Sequence, residues 1–335
     1  VNDIQVFPPT DDRQALHALA RLNETLSERI HSRIVGQHDV VSALLVTLFA
    51  GGHAIFVGVP GLAKTLLVQS LAQALGLSYS RIQFTPDLMP SDVTGSDILD
   101  LDEATGRRSF RFVPGPVFCN LLLADEINRT PPKTQSALLQ AMQEGRVTAS
   151  GKTYELPQPF HVFATRNPIE QEGTYSLPEA QLDRFMMQIR VDYPDAQSER
   201  EIVTLSLNQR EPIEPVLGPE DLAACQEFVR RIPVAPSIVD YIVRLIRASR
   251  PSEATCPDEA RPWIRFGAGP RAGQQLLAAA QARAALRGSP AVEVQDVRAL
   301  AVSVLEHRLV PSYAASADNI EGPQIVASLL RHVNA

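Results

Sequence analysis

The sequence has few cysteines, only three in 335 residues. Cys119, Cys225 and Cys256 are far apart, odd in number and make no CxxC pair. Neither a disulfide framework nor a thiolate metal site is indicated, and a reducing cytoplasm fits. Excess positive charge is also missing: 31 Lys and Arg face 38 Asp and Glu, a net charge of −7, with the basic residues dispersed along the chain. A protein that tracks a nucleic-acid duplex is not expected from that balance. There is no long apolar run either; the longest, Val40 to Phe49, stops at Gly51-Gly52-His53, too short to cross a bilayer. The opening Val1-Asn2-Asp3-Ile4-Gln5 lacks the basic-then-apolar order of a secretion leader. A soluble, cytoplasmic protein without a membrane span is the expectation. With 44% hydrophobic residues the chain can bury a sizeable core, in one large or two medium domains.

What is present centres on Ile55-Phe56-Val57-Gly58-Val59-Pro60-Gly61-Leu62-Ala63-Lys64-Thr65-Leu66-Leu67. An apolar β-branched run enters a glycine turn that opens into a helical pattern, the layout of a nucleotide phosphate loop. In such a loop successive backbone N–H groups and the positive end of a helix dipole surround a triphosphate. The lysine reaches the outer phosphates and the hydroxyl ligates magnesium. The glycine expected just before the lysine is Ala63. Alanine fits there if it has already entered right-handed helical φ/ψ, where a Cβ costs nothing.

Upstream, residues 11–33 and 39–49 read as helices, and Ile34-Val35-Gly36-Gln37 between them is placed to line an adenine pocket with its backbone. Downstream, a helix from Lys64 ends at Gly76, and Tyr79 to Phe84 alternates as a strand. Residues 96–113 read as a β-hairpin around the polar turn Glu103-Ala104-Thr105-Gly106, a working loop or decoration. Leu121-Leu122-Leu123-Ala124-Asp125-Glu126 is an apolar strand tipped by two carboxylates. At the carboxyl end of a parallel strand one acid can hold magnesium and its neighbour can activate water; the plain alternative is a strand ending in solvated acids.

Thr130-Pro131-Pro132 has the look of a hydroxyl cap with proline in the first turn of a helix that runs to Gly145. A hairpin over 147–156 follows, broken at Ser150-Gly151-Lys152. The strand Phe160 to Thr165 then delivers Asn167, which can bond a γ-phosphate or attacking water, or simply cap a turn before Pro168. A short helix over 177–185 precedes a last strand, Met187 to Val191. Beyond Pro194 the texture becomes helical, over 197–207, 219–231, 236–249, 270–286 and 293–307. The expected fold class is therefore α/β, with a parallel sheet flanked by helices over 1–194, followed by an all-α domain over 195–335.

Several motifs agree in order and spacing: Gly58 to Thr65, Gly115-Pro-Val-Phe118, Leu121 to Arg129, Thr134-Gln-Ser-Ala-Leu-Leu139, Asn167-Pro168, Leu182-Asp-Arg-Phe185 and Gly269-Pro-Arg271. Together they resemble the MoxR family of AAA+ ATPases over nearly the whole chain. That resemblance implies an ATPase core with a hairpin insert in its second helix, a helical lid, ATP and Mg2+ as cofactors, and a homo-oligomeric ring, expected as a hexamer. It also implies chaperone-like maturation of a client enzyme together with a von Willebrand factor A domain protein.

By the same resemblance Lys64 and Thr65 bind phosphate, with Thr65 and Asp125 on magnesium, and Glu126 activates water. Asn167 is the first sensor, Arg184 the finger that completes a neighbour's site and Arg271 the second sensor. Val35, Gly36, Gly58, Pro60, Gly61, Leu62, Ala63 and Leu66 complete the expected nucleotide contacts. The alternatives are a metal-chelatase or cofactor-insertion motor subunit, a slow nucleotide-gated scaffold, and a nucleic-acid motor, which the acidic balance disfavours.

Overall fold

The computed structural model describes residues 11–101, 108–149, 151–168, 173–204 and 213–334. The chain opens with two helices, α1 (Asp12–His31) and α2 (His38–Phe49). α1 has a polar outer face and buries Leu16, Leu19, Leu26 and Ile30, and the Asp11 carboxylate caps it by accepting from the Arg13 N–H at 3.1 Å. α2 buries most of its length, as its near-continuous apolar sequence requires.

The α/β part then runs β1 (Ala54–Val57), α3 (Lys64–Ala74), β2 (Tyr79–Gln83), α4 (Pro90–Thr94), β3 (Gly95–Leu101), β4 (Arg108–Pro114) and β5 (Leu121–Asp125). It continues with α5 (Pro132–Glu144), β6 (Arg146–Ala149), β7 (Lys152–Glu155), β8 (His161–Arg166), α6 (Glu179–Leu182) and β9 (Met187–Arg190). Five strands form a parallel sheet in the order β2-β5-β8-β1-β9.

Side-chain alternation divides the core in two. Phe56, Leu121, Leu123 and Phe163 point to the face covered by α1–α3 and the later helices. Ile55, Leu122, Ala124, Val162 and Ala164 point to the face covered by α5. Both faces are covered, which is why the central strands read as unbroken apolar runs.

The remaining elements are α7 (Ala196–Thr204), α8 (Pro219–Arg230), α9 (Pro236–Ala248), β10 (Ile264–Phe266), α10 (Pro270–Leu286), α11 (Val294–Leu305), β11 (Val310–Pro311), α12 (Tyr313–Ala317) and α13 (Gly322–His332). Among the described residues this part is helical apart from one antiparallel pairing of β10 with β11. Buried Ala279, Ala280, Ala282 and Ala284 let α10 approach its neighbours closely. One apolar core runs without a break from α1 and α2 into α8–α13. Among the described residues no helix is long and apolar enough to cross a membrane, and the three cysteines are buried and unpaired.

Two local expectations are corrected. Thr130 does not cap α5: Pro131 holds the N-cap position, and the Thr130 hydroxyl turns toward Leu88 O, which Thr134 Oγ1 bonds more closely at 2.8 Å. Pro132 in the first turn brings no N–H to satisfy, and the Thr134 N–H is taken by Pro131 O at 3.0 Å. The hairpin at 96–113 is present as β3 and β4, preceded by the single turn of α4, but the chain re-enters no helix between β4 and β5.

The turn at Glu103 to Gly106 and residues 205–207 of the expected helix lie outside the described residues, as does the opening Val1 to Gln5. The β3–β4 and β6–β7 hairpins are joined by a stack of Phe112 on Tyr154, with ring centroids 4.0 Å apart.

Candidate nucleotide site

The strand register sets the site. β2 pairs with β5 so that Gln83 lies opposite Asp125, and the β5–β8 register carries on to place Thr165 level with Asp125. On the other side Thr165 lies opposite Phe56 of β1, one residue before the turn into the loop that leads to Lys64. The carboxyl ends of four adjacent strands therefore open on one cleft, of about 520 Å³. It is lined by Pro60, Gly61, Leu62, Ala63, Lys64, Thr65, Leu66, Arg81, Gln83, Asp125, Glu126, Thr165 and Asn167.

The loop closes on itself. Lys64 Nζ donates to Gly58 O at 2.7 Å and Val59 O at 2.8 Å, so the ammonium sits over the turn. Burial lowers the Lys64 pKa, while the nearby Asp125 and Glu126 charges oppose that shift. Ala63 departs from expectation: it is left-handed, at φ 55° and ψ 19°, and helical geometry begins only at Lys64. Gly61 also has positive φ, at 85°. Positive φ at Gly61 and Ala63, alternating with Leu62 and the helical Lys64, turns successive backbone N–H groups to the concave side of the loop, an anion-binding nest, and that geometry is maintained at alanine despite the cost of a Cβ, about 1–2 kcal/mol. Gly58 is needed for a different reason: a Cβ there would lie 2.4 Å from Val191 O, where the loop leaves the sheet beside the end of β9.

The two acids are held in place. The Thr165 hydroxyl accepts from the Glu126 N–H at 2.8 Å and donates to Asp125 Oδ1 at 2.6 Å, fixing the strand tip. Glu126 is left-handed, at φ 55°. Its Oε2 accepts from Gln83 Nε2 and from Arg129 Nη1, both at 3.0 Å. Arg81 grips Asp125 Oδ2 with Nη2 at 2.6 Å and Nε at 3.2 Å.

Lysine, hydroxyl, carboxylate pair and asparagine thus share one cleft, with the N-terminus of α3 facing it. The combination suits a polyphosphate and a hard divalent cation: N–H groups and an ammonium for the anion, and the Thr65 and Asp125 oxygens for the metal.

The other expected contacts lie elsewhere. Val35 and Gly36 are absent from the cleft lining; Gly36 borders a neighbouring cavity with Asp192, Tyr193, Pro194 and Asp195, while Gln37 Nε2 reaches Leu62 O at 3.3 Å. Arg184 and Arg271 do not line the cleft either. Arg184 is half-buried and follows Asp183, whose carboxylate accepts from Arg271 at 3.4 Å and from Arg308 at 2.8 Å.

The buried Arg308 guanidinium also donates to the carbonyls of Asp183, Phe185, Met186 and Val304 and to Gln275 Oε1, so the helical part grips the segment that carries Arg184. Arg81, Gln83, Arg129, Thr165 and Arg308 were not picked out by motif spacing. Thr165 and Gln83 show only once neighbouring strands are aligned, although Gln83 ends β2 and Thr165 is the last residue but one of β8.

Residues 53–187 match the model of the ATPase family associated with various cellular activities, and residues 258–329 match the AAA lid domain. The chain is 46% identical over 293 residues to the chaperone MoxR1 of Mycobacterium tuberculosis, covering 88% of this chain and 76% of that one. It is 36% identical over 303 residues to protein MoxR of Paracoccus denitrificans, covering 84% and 86%. A crystal structure of a proposed ATPase from Cytophaga hutchinsonii superposes with a TM-score of 0.87 at 39% identity, covering 95% of this chain and 96% of that one. Given this fold and these relatives, the chain belongs to the MoxR family of AAA+ ATPases.

Proposed function

We propose that this protein hydrolyses ATP, with magnesium, at the seams of a homo-oligomeric ring, and uses the resulting movement for chaperone-like remodelling of a client enzyme with a von Willebrand factor A domain partner in the cytoplasm. The reading rests on one observation: Lys64, Thr65, Asp125, Glu126 and Asn167 reach a single cleft from three adjacent parallel strands.

In this reading Lys64 and the N–H groups of residues 61–65 hold the β- and γ-phosphates. Thr65 and Asp125 would hold the magnesium ion, which when bound neutralises phosphate charge. Glu126 orients and deprotonates the attacking water, and Asn167 holds the γ-phosphate or that water. The backbone of Val35 and Gly36 flanks the base. Residues 1–194 act as the ATPase core and 195–335 as the lid.

Arg184 is assigned to a neighbour's nucleotide, and Arg271 is assigned as the second sensor. Both lie outside their own cleft and are drawn together by Asp183. A finger residue of this kind contributes roughly 10³–10⁵ in turnover, so a lone subunit is expected to be nearly idle.

Glu126→Gln tests the catalytic assignment. ATP binding is expected to persist in the variant while turnover falls by about 10²-fold or more; co-purification from the native cell should then enrich the partner held by the ATP-bound state. Turnover at the wild-type rate in Glu126→Gln would refute the assignment.

A further inference from the structure

Arg81 lies on β2, the edge strand of the sheet, and its side chain runs forward along the strand to the cleft. Two of its N–H groups meet one oxygen, Asp125 Oδ2, at 2.6 and 3.2 Å, and Nη2 also bonds Gln83 Oε1 at 2.9 Å. The other oxygen, Asp125 Oδ1, accepts from the Thr165 hydroxyl. Both oxygens of Asp125 are therefore engaged by its own chain, one of them by a full positive charge.

We infer that Arg81 is a resident counter-ion that stands in for the divalent cation at Asp125 and has to leave before the carboxylate can serve a metal. The inference rests on the reading of the cleft as a magnesium–nucleotide site.

Three observations carry it. Arg81 Nη2 lies at a charge-assisted distance from an oxygen that also suits a hard cation, and two cations at one carboxylate oxygen repel each other. The Arg81 side chain is 44% exposed and Asp125 is 15% exposed, so the arginine can swing out to water while the acid stays in place. A half-exposed pair on an edge strand adds little to folding, so stability alone gives weak reason for a cation there. The acid next along the strand, Glu126, is held by a separate cation, Arg129, and is not freed when Arg81 moves.

The arrangement makes two opposite predictions for removal of the charge. Without metal, Arg81 screens Asp125 from the phosphates, so its loss weakens nucleotide binding. With metal, Arg81 competes for Asp125, so its loss lowers the magnesium concentration needed. A merely structural salt bridge would shift neither quantity in this paired way.

The test is equilibrium binding of a fluorescent ADP analogue to the full chain, in EDTA and across a MgCl2 titration. Wild type is compared with Arg81→Met, Arg81→Gln and Arg81→Lys, and circular dichroism confirms folding. Arg81→Met and Arg81→Gln are expected to bind the analogue more weakly in EDTA. Their magnesium midpoint should fall by up to roughly fivefold, the most that one half-exposed ion pair carries, while Arg81→Lys stays close to wild type. A magnesium midpoint unchanged by loss of the charge, with analogue binding intact, overturns the inference alone. Failure of wild type to bind the analogue at any magnesium concentration overturns the reading of the cleft and the inference with it.

Discussion

Glycine at position 58 is fixed by space. Gly58→Ala would push a methyl group into Val191 O, and relief requires moving either the loop or the end of β9. A destabilisation of about 1–3 kcal/mol in urea unfolding is expected, together with weaker nucleotide binding, because the displaced segment includes a carbonyl that anchors Lys64. Wild-type stability and affinity in that variant would show that the loop yields without cost. At this scale the sequence was legible in which residues meet: Lys64, Thr65, Asp125 and Glu126 were read as one group and line one cleft. It was misleading where conformation decided: Ala63 was expected to be right-handed and is left-handed, because the nest needs its N–H turned inward more than it needs a relaxed Cβ. The cleft's supporting groups, Thr165 and Gln83, depend on which strands lie side by side, and motif spacing does not carry that information.

Among elements, the base of the sheet is tied to the helices by neutral histidines. His161 Nδ1 donates to Gly52 O at 2.8 Å and its Nε2 accepts from Gln226 of α8, which also donates to Leu48 O at 2.7 Å. His53 accepts from the Val162 N–H at 3.0 Å, and His307 donates to Phe185 O at 3.0 Å. Burial pushes His53 down to about 3 and His161 down to about 4 from the ordinary 6.5, and holds His307 well below that value.

The unfolded chain therefore takes up protons below pH 6.5 that the native fold refuses. Stability is full above that pH and is lost as pH falls toward 4. A loss of about 2 kcal/mol per histidine, roughly 5 kcal/mol for the three, is expected in urea unfolding between pH 7 and 5, above the range where most carboxylates titrate. A flat profile across that window would contradict neutral burial.

Arg308 joins elements in another way, gripping 183–186 from the helical part. Arg308→Met leaves several buried carbonyls without a donor and is expected to cost roughly 3–5 kcal/mol, with turnover falling as the Arg184 segment loosens. Unchanged stability in urea would contradict this. Most elements were legible because their periodicity is strong: α1, α5, α10 and the buried strands appear where apolar spacing puts them. The β10–β11 pairing and α12 were not, since elements of a few residues carry too little pattern to stand out.

The order of the whole molecule follows from burial on both sides of one sheet, with helices α8–α13 sharing the core of α1 and α2. The α/β-to-helical change at 194 was legible as a change of texture. The continuity of the core across it was not, because the contacts between α1 and α10 join positions hundreds of residues apart. Family membership was readable from motif order alone. The division of labour between copies was not, because it concerns surfaces that meet only on assembly.

In the proposed ring, Lys64 and Arg184 act on the same nucleotide from different subunits. Lys64→Ala and Arg184→Ala, each expected to be inactive by itself, should therefore repair one another when mixed. A subunit with an intact loop would then sit beside one with an intact finger. The decisive measurement is the steady-state ATPase rate of such a mixture above the concentration at which the ring assembles. Recovery of a substantial fraction of wild-type turnover is the predicted result. A mixture as idle as its components, or an Arg184→Ala protein as active as wild type, would contradict it.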